Sequence, residues 1–382
     1  MAMTPDDSSN DCDTQSLTES VTAFPFENGR RYHKYHEGLY PFPNDEQELD
    51  RLDMQHHIWK QINDNKLHFA PLRDPKRILD IGTGSGIWPI EMASHFPEAS
   101  IIGTDLSPVQ PTEVPPNVHF LVEDATEEWL WEPNHFDYIR IGNMTGCLPS
   151  TKDVLKKAMR VLKPGGWFEW HDIDPIPRCD DNTIPPPNTE GGFSEYALHD
   201  WIELEVKASE EYEPYRQFLI AHKLAAEMRQ EGYLDVNDQI TKVPLNPWPK
   251  DPKLKTLGAW YQENWMTGLS AYTYKPFLAL GWTKPEIEVF LVSVRKCITN
   301  RHFHAYHNFM LSRGGNRLLA RNHQNDLRTT YTQKEFFFFF FFFFNIHAGA
   351  IVYSVTVYFS FIFELRYLSG VSIHGCMESG EK

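Results

Sequence analysis

A glycine-rich loop is the first feature of this sequence whose residue types and spacing could do chemistry. An apolar run ends at Asp80, and Gly82, Thr83, Gly84 and Gly86 follow within six residues. Because glycine has no side chain, such a turn lets a ligand approach backbone N–H groups at the start of the next helix. The loop therefore predicts a binding site for a nucleotide-like cofactor.

The spacing of the glycines distinguishes between two cofactors. The dinucleotide fingerprint G-x-G-x-x-G would place a glycine at position 87, but that residue is Ile87 and the third glycine is Gly86. The observed G-x-G-x-G order favours S-adenosylmethionine over NAD. An oxidoreductase that binds NAD is the weaker alternative.

Polar residues at the ends of the next predicted strands extend this site. Asp105 ends the second strand, where a carboxylate can accept hydrogen bonds from both ribose hydroxyls. Asp124 follows the third strand, and we expect its carboxylate to contact the adenine amino group while Ala125 donates a backbone N–H. Each aspartate alone could be a helix cap, but their positions at successive strand ends predict one cofactor site. Two further residues complete it: Leu106 and Asn143.

A catalytic base is optional for methyl transfer, because aligning the nucleophile about 3 Å from the methyl carbon supplies much of the rate. If a base operates, His171 is the candidate, since it follows the fifth strand and an imidazole titrates near neutral pH. A hydrogen-bonded core histidine is the alternative interpretation of the same residue.

The acidic residues and histidines do not predict a metal site. Glu169 and Asp172 flank His171 but supply too few oxygen ligands for calcium or magnesium. The remaining histidine groups lack the number of ligands that a zinc site needs. They are His56, His57, His302, His304 and His307.

Aromatic residues could line the site in two places. Tyr32, Tyr35, Tyr40 and Trp88 could face the cationic sulfonium, or they could pack in the core. The stretch 250–300 is expected to fold as a helical lid over an apolar small-molecule acceptor. The aromatic residues that suggest this lid are Trp248, Trp260, Tyr261, Trp265, Tyr272 and Tyr274.

Alternating strands and helices must position these residues. Short apolar runs predict strands at 77–81, 100–104, 118–122, 136–141, 166–171, 239–245 and 302–311. Helical patterns cover 46–65, 194–231 and 252–298. This alternation is typical of an α/β fold with a parallel sheet, which holds its ligand at the carboxyl ends of the strands.

Charge and cysteine content restrict the partners and the compartment. The formal net charge of −16 repels phosphate backbones, so we expect no nucleic-acid substrate. The five cysteines include no C-x-x-C pair, and the acidic N-terminus lacks the basic and apolar segments of a secretory signal. These features favour a cytoplasmic or nuclear location.

Both ends of the chain differ from its centre. Residues 1–27 are predicted to be a disordered acidic tail. Residues 313–382 contain nine consecutive phenylalanines, Phe336 to Phe344, and 336–363 carry no Asp, Glu, Lys or Arg. This apolar stretch is long enough for a membrane anchor, but a homopolymer favours a gene-model artefact such as a translated intron.

Several segments resemble the fungal class I methyltransferases grouped with the velvet-complex regulator of secondary metabolism. The resemblance rests on RILDIGTGSGIW, GTDLSPVQP, EDATEEWLW, FDYIRIGNM, LKPGGWFEW and LNPWPKDPKLKTLGAWYQENWMTGL, and covers about residues 28–311. It implies a Rossmann-like, seven-stranded, mostly parallel sheet with a reversed final hairpin, helices on both faces and a helical lid insertion. The methyltransferase domain would span 28–312, with the cofactor core at 46–175 and the lid at 250–300.

The family resemblance leaves two functions open. One is an S-adenosylmethionine-dependent enzyme that methylates a small-molecule acceptor in secondary metabolism. The other is a regulatory protein that binds the cofactor and acts through protein partners. The segment IGNMTG lacks the Asn/Asp-Pro-Pro-aromatic motif of enzymes that methylate base amino groups, which argues further against nucleic acid.

Overall fold

The computed structural model describes residues 23–38, 40–211 and 215–316, together with the backbone of three strands between residues 339 and 373. The chain forms two compact units, residues 1–319 and 320–382. Most of the predicted acidic tail lies outside the described residues, as does much of the predicted low-complexity tail.

The described residues of the first unit contain nine strands. They are β1 (Phe26–Glu27), β2 (Arg30–Arg31), β3 (Arg77–Ile81), β4 (Ser100–Asp105), β5 (Val118–Val122), β6 (Phe136–Gly142), β7 (Leu162–Arg178), β8 (Leu234–Pro244) and β9 (Tyr306–Gly315). β1 and β2 form a short antiparallel hairpin, and the other seven strands form one sheet in the order β5-β4-β3-β6-β7-β9-β8.

The direction of the strands confirms the predicted fold class. The pairs β3 with β4, β3 with β6, β4 with β5, and β6 with β7 are parallel. Only β9 runs against its neighbours β7 and β8 in this sheet. The sheet is therefore seven-stranded and mostly parallel, with its one reversed strand inserted between the last two parallel ones.

The described residues of the first unit also contain seven α-helices. They are α1 (Glu46–Ile62), α2 (Ile87–His95), α3 (Thr151–Val161), α4 (Leu198–Glu211), α5 (Leu224–Gln230), α6 (Pro252–Ala279) and α7 (Lys284–Thr299), with a 3-10 turn at Ala221–Lys223. Helices α1, α3 and α6 begin at side-chain caps: Asp45 accepts a hydrogen bond from the backbone of Glu48, Ser150 from that of Asp153, and Asp251 from that of Leu254.

Several predicted boundaries are wrong. The strand expected at 166–171 is Leu162–Arg178, and the strand expected at 239–245 is Leu234–Pro244. The helical region expected at 194–231 is α4 and the shorter α5, with non-helical chain described at 215–220. The helical region expected at 252–298 is two helices, α6 and α7. They are separated because Gly281 takes a left-handed conformation at φ +85° and Thr283 is the N-cap of α7. The last strand begins at Tyr306 rather than at 302, since Asn300 holds a turn by accepting hydrogen bonds from the backbones of His302 and Phe303.

Apolar clusters pack on the two faces of the sheet. On β3, Ile78 packs in a cluster with Trp88 and Met92 of α2, whereas Leu79 packs with Leu155 of α3. Successive residues of a strand point to opposite faces, so helices cover both sides. A third cluster joins α1, α4, α6 and α7 near β8 and β9.

The second unit is described by backbone alone. Its strands β10 (Phe339–His347), β11 (Ala350–Tyr358) and β12 (Val371–Ile373) form an antiparallel sheet in that order. Six residues of the phenylalanine tract therefore lie in β10. Among the described residues, no helix combines the length and apolarity that crossing a membrane requires.

Candidate functional site

The glycine loop connects β3 to α2 with all three glycines in left-handed conformations. Their φ angles are +65° at Gly82, +57° at Gly84 and +80° at Gly86. Thr83 donates a backbone hydrogen bond to the carbonyl of Thr104 on β4, at 2.9 Å. The loop is thus tied to the neighbouring strand while its glycines turn the chain into α2.

A buried ion pair at the end of β3 holds the start of this loop in place. Asp80 has no exposed surface, and its two oxygens accept hydrogen bonds from Nη1 of Arg140 at 2.6 Å and from Oγ1 of Thr83 at 2.7 Å. Arg140 lies opposite Asp80 in the parallel pairing of β3 with β6. Asp80, which the sequence predicts as a cofactor ligand, therefore positions the loop rather than lining a cavity.

Asp105 ends β4 beside the loop. Its Oδ2 accepts a hydrogen bond from the backbone N–H of Gly84 at 2.9 Å, and its Oδ1 accepts one from Ser107 at 2.9 Å. The side chain is half-buried, and burial raises its pKa from 3.8 to about 6 despite these hydrogen bonds. The carboxylate is thus held rigidly at the carboxyl end of the sheet.

Asp124 lies past the end of β5 and already has protein partners. Its Oδ1 accepts hydrogen bonds from the backbone and hydroxyl of Thr126, each at 2.7 Å, and its Oδ2 lies 3.1 Å from Nδ1 of His36. Burial would raise the pKa of Asp124, but these hydrogen bonds outweigh it and hold the pKa below its usual value. His36 stacks on Tyr35 at 4.1 Å, so the N-terminal segment covers this part of the site.

A cavity opens where these strand ends meet, and we call it the first cavity. It is lined by residues from the loop, from α1 and from the ends of β4, β5 and β6. Eight of the ten predicted cofactor residues line it: Gly82, Thr83, Gly84, Asp105, Leu106, Asp124, Ala125 and Asn143. The exceptions are Asp80, which lies beneath the loop, and Gly86, which caps α2.

A second cavity adjoins the first, and the two share Tyr40, Leu52 and Asn143 in their linings. The second cavity is predominantly aromatic. Its aromatic residues are Tyr40, Phe42, Trp201, Phe218, Tyr261, Trp265 and Tyr272. Its polar residues are Arg51, Gln55, Asn143, Thr145, Asp172 and Asn264.

Helix α6 places three of the six predicted lid aromatics in this second cavity, namely Tyr261, Trp265 and Tyr272. The other three lie elsewhere. Trp248 stacks on His304 at 4.6 Å, Trp260 is 41% exposed, and Tyr274 donates a hydrogen bond to Glu288 at 2.5 Å.

The four aromatic residues predicted to face the sulfonium do not all line a cavity. Tyr40 lines both cavities and Trp88 lines the first. Tyr32 is buried, with Nζ of Lys275 3.7 Å from the centre of its ring. Tyr35 lines neither cavity and stacks on His36.

His171 lies outside both cavity linings. It is buried, and its Nε2 lies 3.1 Å from Oε2 of Glu169, whose other oxygen accepts hydrogen bonds from the backbones of Phe69 and Ala70. Burial lowers the pKa of His171, although Glu169 opposes this effect. The structure therefore gives this predicted base no direct path to a bound acceptor.

Three of the five histidines considered for a metal site have side-chain partners in the protein. His56 pairs with Glu91 at 2.9 Å, His304 with Asp181, and His307 with Tyr261. Within the ranges that the structure describes, no three His, Cys, Asp or Glu side chains are grouped to hold a metal ion.

Comparisons with known proteins agree with this architecture. The family described as "Methyltransferase domain" matches residues 54–236. The chain is 36% identical to "Methyltransferase pytC" of Aspergillus terreus over 305 residues, which are 79% of this chain and 90% of that protein.

Two further relatives carry the name of a regulator. "Secondary metabolism regulator LAE1" of Cochliobolus heterostrophus is 35% identical over 74% of this chain and 91% of its own length. "Secondary metabolism regulator laeA" of Aspergillus fumigatus is 33% identical over 73% of each chain. This chain belongs to the fungal class I, S-adenosylmethionine-dependent methyltransferases that include these regulators of secondary metabolism.

Proposed function

We propose that this methyltransferase transfers the methyl group of S-adenosylmethionine to a small, apolar acceptor held in the second cavity. The observation that carries the proposal is the contact between the two cavities through Tyr40, Leu52 and Asn143. A donor in the first cavity and an acceptor in the second would meet at these shared residues. Ligand sites are typically concave and apolar with a few placed polar groups, which describes the second cavity.

The residues of the first cavity suit the cofactor. In this proposal the Asp105 carboxylate accepts hydrogen bonds from the ribose hydroxyls, Asp124 and Ala125 contact the adenine, and the glycine loop contacts the rest of the molecule. Asp105, Asp124, Ala125 and residues 82–85 of the loop line the first cavity. The bound cofactor supplies an electrophilic methyl group on a sulfonium. Asn143 is fixed between the cavities, because its Oδ1 accepts a hydrogen bond from Nε1 of Trp59 at 3.1 Å.

The second cavity offers positioning and one proton acceptor. Its aromatic walls exclude water and favour an uncharged, planar acceptor. No histidine lies in its described lining, but Asp172 does. Burial raises the pKa of Asp172, although its oxygens already accept hydrogen bonds from Met144, Thr145, Trp170 and Ile173. If the acceptor reacts through a hydroxyl, its proton would pass to Asp172 in exchange for one of these bonds.

The cofactor affinity should depend on pH through Asp105. Its pKa is about 6, above the usual 3.8, so the carboxyl is protonated below about pH 6. The ionised form is the one that can accept both ribose hydroxyls. We therefore expect the affinity for S-adenosylmethionine to fall as the pH decreases below 6, by up to about tenfold per pH unit for one coupled proton.

Calorimetric titrations with S-adenosylmethionine from about pH 5 to pH 8 measure this dependence. Asp105→Asn, which cannot ionise, is the matched control and should show weak affinity with a flat profile in that range. An equal slope in the wild type and in Asp105→Asn would assign the titrating group elsewhere.

Methyl-labelled cofactor tests the small-molecule proposal. The full-length protein is incubated with it and a fungal extract, and the label is then separated into protein, nucleic-acid and organic-soluble fractions. We expect label in the organic-soluble fraction. Trp265→Ala, which removes a wall of the second cavity, should reduce this transfer at least about tenfold, the effect of a small misplacement of the acceptor.

Trp260→Ala is the matched control, because Trp260 lies on the same helix but is exposed. It should leave the transfer unchanged, and both variants should retain the wild-type affinity for the cofactor. Label that enters only the protein or nucleic-acid fraction would contradict a small-molecule acceptor.

A regulatory function is the second candidate, because relatives named as regulators match about three quarters of the chain. The same scaffold can bind the cofactor and act through protein partners. Cofactor binding without transfer of label to any fraction would favour this candidate. For either function we propose a cytoplasmic or nuclear location, since Cys147, Cys179 and Cys297 are free thiols, as a reducing compartment allows.

A further inference from the structure

We infer that Gln55 donates a hydrogen bond to an oxygen of the acceptor, and that the acceptor is an uncharged aromatic molecule bearing a carbonyl group. This inference rests on the proposed function, because it assigns a specificity-determining residue to the second cavity. Gln55 lies in the middle of α1 and lines that cavity with Arg51 and Leu52, which precede it by about one helical turn.

The side-chain nitrogen of Gln55 is buried without a partner among the described residues. Gln55 is 3% exposed, and its Nε2 is a buried donor for which no described residue provides a hydrogen-bond acceptor. Leaving such a donor unsatisfied costs stability, so buried amides are nearly always paired. A ligand that brings an oxygen into the cavity would satisfy it.

Two neighbouring donors of the cavity, Arg51 and Thr145, are already paired within the protein. Arg51 donates to Glu48 at 2.7 Å and to Asn264 at 3.3 Å. The hydroxyl of Thr145 donates to Asp172 at 2.8 Å. Gln55 Nε2 is therefore the donor in this lining that is both buried and without a partner among the described residues.

The charges around the cavity favour a neutral oxygen over a carboxylate. The Arg51 guanidinium is paired with Glu48, and both side chains are at least 94% buried. Asp172 brings a further carboxylate to the same lining. A ligand carboxylate would thus meet no unpaired cation in this lining, whereas a carbonyl needs only the amide donor.

Two probes that differ by one group test the inference. Acetophenone carries a carbonyl where ethylbenzene carries a methylene, so the ratio of their dissociation constants isolates the oxygen. Both are titrated into the full-length protein saturated with S-adenosylhomocysteine, and binding is followed by ligand-observed NMR. In Gln55→Met the affinity for acetophenone relative to ethylbenzene should fall about three- to tenfold, as expected for one neutral hydrogen bond.

Gln61→Met is the matched control, because Gln61 lies on the same helix but is exposed. It should leave the ratio unchanged, and an unaltered affinity for S-adenosylhomocysteine shows that each variant is folded. An unchanged ratio in Gln55→Met would overturn the role of Gln55 alone. If neither probe binds the wild type, the second cavity does not accept aromatic ligands, and the proposed function fails together with the inference.

Discussion

Replacing Arg140 by methionine is expected to lower the free energy of unfolding by about 3 to 5 kcal/mol, the usual cost of breaking a buried ion pair. The Nη1 atom of Arg140 lies 2.6 Å from Asp80, which has no exposed surface. Without the guanidinium, Asp80 becomes a buried carboxylate whose only side-chain partner among the described residues is the Thr83 hydroxyl. The glycine loop should lose its support, so cofactor affinity should fall as well.

Urea unfolding followed by tryptophan fluorescence measures this loss. The double variant Asp80→Asn with Arg140→Met removes both charges, so it should recover at least half of the lost stability. Lys76→Met, which breaks the exposed pair of Lys76 with Asp74, should change stability little. If Arg140→Met is as stable as Lys76→Met, the buried pair does not support the loop.

Replacing Gly86 by alanine is expected to destabilise the protein by about 2 to 4 kcal/mol, from two effects that add. A left-handed backbone costs a non-glycine residue about 1 kcal/mol or more. An alanine Cβ at this position would also lie 2.5 Å from Cζ of Phe120, a contact that no side chain tolerates without movement. Phe120 lies on β5, so relieving the contact would shift the strand that precedes Asp124.

Gly29→Ala separates the two effects. Gly29 has the same φ of +80°, but no atom lies within 4 Å of the position of its added Cβ. It should therefore show only the backbone cost, about 1 kcal/mol. Thermal unfolding of both variants gives the difference, and equal destabilisation would mean that Phe120 yields to the new methyl group without cost.

The sheet was predictable from the sequence because its signals are local. Apolar runs at 77–81 and 118–122 match β3 and β5 to the residue. Boundaries set by tertiary contacts were less predictable. The start of β9 depends on the turn at Asn300 and on antiparallel pairing with β7 and β8, and neither leaves a pattern in the strand itself.

The same difference separates the residues of the candidate site that could be predicted from those that could not. Residues that follow strands in order, such as Asp105 and Asp124, could be predicted because the carboxyl ends of parallel strands meet at one edge. Two residues were missed because they do not lie on the sheet. His36 belongs to the N-terminal segment, and Gln55 lies on α1. The sequence does contain a signal for Arg140, because this residue is a charge between the apolar residues Ile139 and Ile141 of a buried strand.

The most direct test of the account is a calorimetric titration of the full-length protein with S-adenosylmethionine and, separately, with NADH. We predict that S-adenosylmethionine binds and NADH does not, and that Asp105→Ala weakens the binding of S-adenosylmethionine about 10- to 150-fold, the effect of losing hydrogen bonds to a charged group. Binding of NADH without S-adenosylmethionine, or an unchanged affinity in Asp105→Ala, would contradict the assignment of the first cavity.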